Sequence, residues 1–140
     1  MKLYKILPVL MIMFCFYTCQ STKTKADNLY NTTWELDYIT GPRITFNGLY
    51  PDKKPQLTFN KTTNHVEGNA SCNGYRAEYT INDNNISFGE PGPTTMIYCG
   101  EGEQTFLSMM KKINKYSFDD EGKLVLLLDD VAMMRFKKVN

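Results

Sequence analysis

From residue 33 onward, hydrophobic and polar positions alternate with a period of two along most of the chain, the pattern of strands that bury one face. Trp34, Leu36 and Tyr38 fall on one side, with Glu35 and Asp37 on the other. Gly41-Pro42 ends this strand. Asn47-Gly48 and Pro51-Asp52 punctuate the stretch from Arg43 to Lys54, which reads as a long loop or an added hairpin. Gln56 to Phe59 predicts a strand with Leu57 and Phe59 inward. Asn60 to Asn64 makes a turn and His65 to Ala70 returns. Tyr75, Ala77 and Tyr79 share a face, and Asn82-Asp83-Asn84-Asn85 turns the chain into Ile86 to Phe88.

Pro91-Gly92-Pro93 breaks this ladder, and after Cys99 the period changes. Phe106, Leu107, Met110 and Ile113 recur at helical spacing, which predicts one helix over 103–113. Glu101 and Glu103 near its start and Lys111 and Lys112 near its end suit the helix dipole. Alternation resumes at Tyr116 and Phe118, and Asp119-Asp120-Glu121-Gly122 reads as a solvated hairpin tip. Lys123 to Leu128 is apolar on both faces, which predicts a central, well-covered strand. Val131 to Val139 places Met134 and Phe136 inward and Arg135 and Lys137 outward, a pattern expected of an edge. The fold class read from these elements is α+β, a largely antiparallel sheet with one packed helix. Trp34, Tyr38, Phe59, Tyr75, Phe88, Phe106 and Phe136 are its core candidates.

The N-terminus follows a different rule. Lys2 and Lys5 precede an almost wholly apolar run from Ile6 to Tyr17, and polar sequence begins at Gln20. Charge, apolar run and cleavage point in that order make a secretory signal. About a dozen apolar residues are too few to span a bilayer core of roughly 30 Å as a helix. The run ends at Cys19 rather than at a small-residue site, and so resembles a bacterial lipoprotein signal, whose cysteine is acylated and becomes the first residue. Phe16-Tyr17-Thr18-Cys19 is a loose version of that box. The expected organisation is a signal peptide over 1–18, a flexible tether over 19–28 and one domain over 29–140. By the sorting rule known for enterobacteria, Gln20 after the cysteine favours the outer membrane.

Removing Lys2 and Lys5 takes the formal charge from +1 to −1. A near-neutral domain offers no electrostatic case for nucleic acid. Of the 4 cysteines, Cys72 and Cys99 remain in the domain. In an oxidising compartment they form either a disulfide, closing a loop of about 28 residues, or two buried free thiols. Four N-x-[ST] sequons begin at Asn31, Asn60, Asn69 and Asn85, and in a bacterial protein they are read as inert.

Several ordered segments together resemble the META domain, or HslJ-like, family of small bacterial envelope lipoproteins. Thr33-Trp34-Glu35-Leu36 opens the domain and Pro55-Gln56-Leu57-Thr58-Phe59 follows. Gly68-Asn69-Ala70-Ser71-Cys72-Asn73-Gly74-Tyr75 matches the family's Gly-x-x-Gly-Cys-Asn-x-Tyr signature, with Ser71 where glycine is usual. Thr95-Met96-Ile97-Tyr98-Cys99 matches its Thr-Met-x-x-Cys element. The resemblance spans about residues 30 to 139. It implies a compact antiparallel, barrel-like sheet packed with one helix. It also implies a link to heat-shock response, antibiotic tolerance or virulence, with no established enzyme activity.

No catalytic constellation stands out. His65 is the sole histidine and reads as structural. No nucleophile elbow, Gly-rich phosphate loop or H-E-x-x-H appears. Zinc needs about four ligands, and Cys72, Cys99 and His65 fall short without carboxylates. Asn73, Gly74 and Tyr75 read as turn chemistry and core packing. The expectation is therefore a monomeric, non-enzymatic envelope protein, membrane-anchored through Cys19, without cofactor or metal, that binds a partner or protects against stress. The alternatives are a thiol-redox protein using Cys72 and Cys99, and a barrel that carries a small ligand.

Overall fold

The computed structural model describes residues 25–139. Eight strands form a closed barrel in chain order, each antiparallel to its neighbours. They are β1 (Thr33–Ile39), β2 (Gln56–Asn60), β3 (His65–Asn69), β4 (Gly74–Asn82), β5 (Asn85–Phe88), β6 (Lys115–Phe118), β7 (Leu124–Leu128) and β8 (Val131–Val139). A single helical turn, α1 (Phe46–Leu49), lies between β1 and β2, and α2 (Glu101–Met110) lies between β5 and β6. A 3-10 turn, Lys25–Asn28, precedes the barrel. It occupies the end of the stretch expected as tether; the rest of that stretch and the signal segment lie outside the described residues.

The inward face holds the alternating residues that the pattern marks. Trp34, Leu36, Leu57, Val66, Leu124, Leu126, Met134 and Phe136 are completely buried. Burying a large apolar side chain contributes about 1.5–3 kcal/mol, so this column is the principal source of stability. The Trp34 indole donates to Leu29 O at 3.0 Å, which satisfies its one polar atom and draws the buried Leu29 into the barrel. Tyr79 stacks edge-on against Phe59, and Tyr75 edge-on against Phe106 of α2.

Five expectations are corrected. Tyr38 points out and is 44% exposed, because the pairing of β1 with β8 shifts register between Leu36 and Tyr38. That irregularity flips the alternation, so Ile39 takes the inward position. β8 is not an edge, since it pairs with both β7 and β1 and closes the barrel. β7 is not covered on both faces: Leu124 and Leu126 are buried, whereas Val125, Leu127 and Leu128 are half-buried, because a barrel strand has only one inner face. Finally, Arg43 to Lys54 contains α1, and α2 begins and ends earlier than its apolar spacing predicts, with Ile113 buried just beyond it.

Ion pairs line the outer side of the closing seam. Arg135 Nε meets Asp37 Oδ1 at 2.9 Å, and Lys137 meets Glu35 at 3.3 Å. A hydrogen bond from Gln56 Nε2 at 2.9 Å holds the Glu35 carboxyl below its ordinary pKa, helped by Lys137 and opposed by desolvation. The folded-state value is the lower one. This contribution is therefore complete above the unfolded carboxylate pKa of about 4.3 and is lost as pH falls through the folded value. Glu35→Gln is expected to flatten the acid limb of a stability–pH curve measured by urea titration. At pH 7 the expected change is about 1 kcal/mol or less. An acid limb that matches the wild type's would remove Glu35 from this role.

Candidate functional site

The two sequence elements around Cys72 and Cys99 meet at one pole of the barrel. β3 ends at Asn69, and the turn Ala70–Asn73 leads into β4. Ala70 N donates to Asn73 O at 3.0 Å and closes that turn. Ser71 has a φ of +156°, which agrees with glycine being usual at its position, and its hydroxyl donates to Lys53 O at 3.1 Å. After β5, Gly89 N donates to Glu78 O and Gly92 N to Arg76 O, so the segment runs back along β4. It arrives at Thr95–Cys99 beside the β3–β4 turn. Cys72 and Cys99 are joined there by a disulfide, with Cα atoms 5.9 Å apart. That distance sits within the ordinary range for the bond.

Asn73 organises this pole. Its side-chain nitrogen donates to Ile97 O and to Glu103 Oε2, both at 2.7 Å, and lies 3.4 Å from Cys99 Sγ. Its side-chain oxygen accepts from Ile97 N and Thr95 Oγ1, both at 3.0 Å. The Asn73 amide thus replaces a strand partner for the loop, whose backbone has no ladder of its own. Asn73 is 3% exposed and Glu103 8%. Buried polar groups of this kind are costly unless paired, and here they pair with one another. Reading Asn73 as turn and packing chemistry is therefore incomplete.

Glu103 went unrecognised as part of the site. Its spacing from Phe106 and Met110 places a carboxyl on the apolar stripe of α2, and that was the available signal. Gly102 allows α2 to start here: a Cβ on it would collide with the backbone of Leu49 and the ring of Tyr50. Tyr50 in turn donates to Gly102 O at 2.9 Å, and burial raises its phenol pKa.

The loop that this framework holds exposes three consecutive large apolar side chains. Met96 is 94% exposed, Ile97 65% and Tyr98 85%. Beneath them a cleft of about 270 Å³ is lined by Asn73, Thr94, Glu103, Gln104 and Leu107 along with the loop itself. The other candidates lie elsewhere. His65 stands at the start of β3, the far end from Cys72, where Nδ1 donates to Thr63 O at 2.7 Å. Asp119 accepts from Glu121 N and Lys123 N, as a hairpin tip does. Cys19 lies outside the described residues.

Among the described residues no helix is long and apolar enough to cross a membrane. Similarity to known proteins covers nearly the whole described chain. An NMR structure of a protein from Burkholderia xenovorans shares the fold with a TM-score of 0.60. It is 22% identical, and the match covers 84% of this chain and 89% of that one. No curated protein matches the chain. The family model of the META domain matches residues 27–140, and the chain belongs to that family.

Proposed function

We propose that this META domain protein is a non-enzymatic bacterial envelope lipoprotein, tethered through Cys19, that inserts the Met96-Ile97-Tyr98 loop into an apolar pocket of an envelope protein partner. The observation that carries the reading is the exposure of three large apolar side chains on a loop tied to the barrel by a disulfide and by Asn73. A disulfide at one end and the Asn73 amide in the middle remove the freedom that binding would otherwise have to freeze out. Aromatic and large apolar anchors of this kind dominate interface energetics. Three side chains bury too little to hold a second copy by themselves, since stable interfaces bury about 1,600 Å² in total. They are the right size for an anchor in a partner's pocket. A closed barrel offers no free edge for strand addition, so the loop is the more favourable contact.

Topology also favours an aqueous partner over the bilayer. The N-terminal turn sits at the pole of the β2–β3 turn, where Asp27 pairs with Lys61 at 3.4 Å. The disulfide pole is at the other end of β3, about 17 Å away along a five-residue strand. Gln20 to Lys25 reach about 20 Å at most, so a tethered domain turns its N-terminal pole to the membrane and the loop away from it. Two predictions follow this division. Cys19→Ala is expected to release the protein from the membrane fraction of cells, and unchanged partitioning would end the anchor reading. A photo-crosslinking residue at Met96 is expected to give a discrete protein adduct in intact cells. The same residue at Val131, an exposed apolar position elsewhere, should not give it. Ile97→Ser/Tyr98→Ser should abolish the Met96 adduct. The same adduct from both positions, or none from Met96, sinks the docking reading.

The alternatives fare less well. A carrier needs an empty interior, and Trp34, Phe59, Phe106, Tyr116 and Phe136 fill this one. The thiol-redox reading retains one favourable observation, the exposure of Cys72.

A further inference from the structure

We propose that the Cys72–Cys99 disulfide covers a latent zinc site, made of the two cysteine sulfurs and the Glu103 carboxylate, that opens when the bond is reduced. The site stands apart from the docking and anchoring readings and needs neither. The ligand atoms of Cys72, Cys99 and Glu103 all lie within 4.8 Å of one another. His65, the other candidate ligand, is at the far end of β3. The carboxylate that zinc would need beside two cysteines is thus supplied by α2.

Three features make this more than proximity. Glu103 is 8% exposed, yet among the described residues its carboxylate accepts one hydrogen bond, from Asn73. A buried carboxylate ordinarily recruits more partners. Asn73 holds Glu103 Oε2 and lies against Cys99 Sγ, so one amide orients two of the three ligands. That is the outer-shell arrangement by which metal ligands are usually fixed. Cys72 is exposed while Glu103 is buried, which leaves a solvent-facing side for a fourth ligand such as water. Zinc bonds sulfur at about 2.3 Å and carboxylate oxygen at about 2.0–2.2 Å, which spaces tetrahedral ligands roughly 3.3–3.8 Å apart. Once the S–S bond is gone, side-chain rotation is enough to gather the three around one ion.

The chemistry balances with a dithiol reductant. The reductant's two S–H bonds break and its own disulfide forms. Its two electrons cleave the Cys72–Cys99 bond, and its two protons make the two thiols. Zinc then displaces both thiol protons to solvent as the two Zn–S bonds form. Reducing conditions in the envelope would thereby become a zinc-binding signal at the pole that carries the exposed loop.

The test uses the full chain in detergent, carrying Cys15→Ser and Cys19→Ser so that Cys72 and Cys99 are its only cysteines, with Zn²⁺ as the probe. Reduction is by a trialkylphosphine, because a dithiol would itself chelate the metal; the phosphine becomes its oxide with oxygen from water, and water's protons make the thiols. Zinc uptake is read by competition with a chromophoric chelator, and folding by circular dichroism. The expected result is one zinc per reduced chain and none for the oxidised chain. Cys72→Ser and Cys99→Ser should each lose it, and Glu103→Gln should weaken it by about tenfold or more. Equal uptake by the oxidised chain, no uptake by the reduced one, or full affinity in Glu103→Gln would each overturn the proposal. So would a reduced chain that has unfolded and does not refold when zinc is added.

Discussion

The double variant Cys72→Ala/Cys99→Ala is expected to unfold at a free energy about 3–4 kcal/mol below that of the oxidised wild type. The bond joins residues 27 positions apart, and restricting a loop of that size in the unfolded chain has roughly this worth. The loop is not idle chain. It contains β4, β5 and the segment that returns to Thr95, so the bond ties the β3–β4 turn to the start of α2. A domain of this size has about 5–15 kcal/mol of stability, and the variant should remain folded. Asn73 still grips Ile97 through both of its side-chain atoms when the sulfurs are gone. Urea titration monitored by tryptophan fluorescence makes the check, since Trp34 is the sole tryptophan and lies inside the barrel. A loss below about 1 kcal/mol with an unchanged denaturant slope would mean that the bond hardly restrains the unfolded chain.

The same bond shows what one sequence can and cannot tell. Strands were legible because one face of a barrel is buried and the other is wet, which is what period two encodes. Closure was not legible from alternation along the strands; the barrel came only as what the family resemblance implies. Arg135 and Lys137 outward on β8 read as an edge, and only their partners Asp37 and Glu35, about a hundred residues away in sequence, reveal a seam. Tyr38 was misplaced for a related reason: a bulge is set by how two strands pair, and alternation along one strand does not record it. At the site, the cysteines were legible from their type and from the spacing that the family shares. Glu103 was not, because a glutamate in the first turn of a helix is ordinarily explained by the dipole. Its role depends on Asn73, thirty residues earlier in the chain, reaching it at 2.7 Å.

Asn73→Ala is expected to cost about 3 kcal/mol, although it removes neither a charge nor a large apolar group. The variant leaves the Glu103 carboxyl buried without its donor, and it strips partners from Ile97 N, Ile97 O and Thr95 Oγ1. Each buried group left unpaired costs about 1–3 kcal/mol, more than the net worth of the bond that satisfied it. The loop groups recover part of this from water because the loop is exposed, whereas the carboxyl does so least. The two side chains should therefore be energetically coupled. In a Glu103→Met background, where an apolar chain of similar length fills the place of the carboxyl, Asn73→Ala should cost at least about 1 kcal/mol less than in the wild type. Hydrogen exchange supplies a local readout: the Ile97 amide loses its acceptor and should exchange faster in Asn73→Ala, while amides in β7 and β8 stay protected. Additive losses in the double variant, or an Ile97 amide that exchanges as slowly as before, would mean that Asn73 does not hold Glu103 and the loop as one unit.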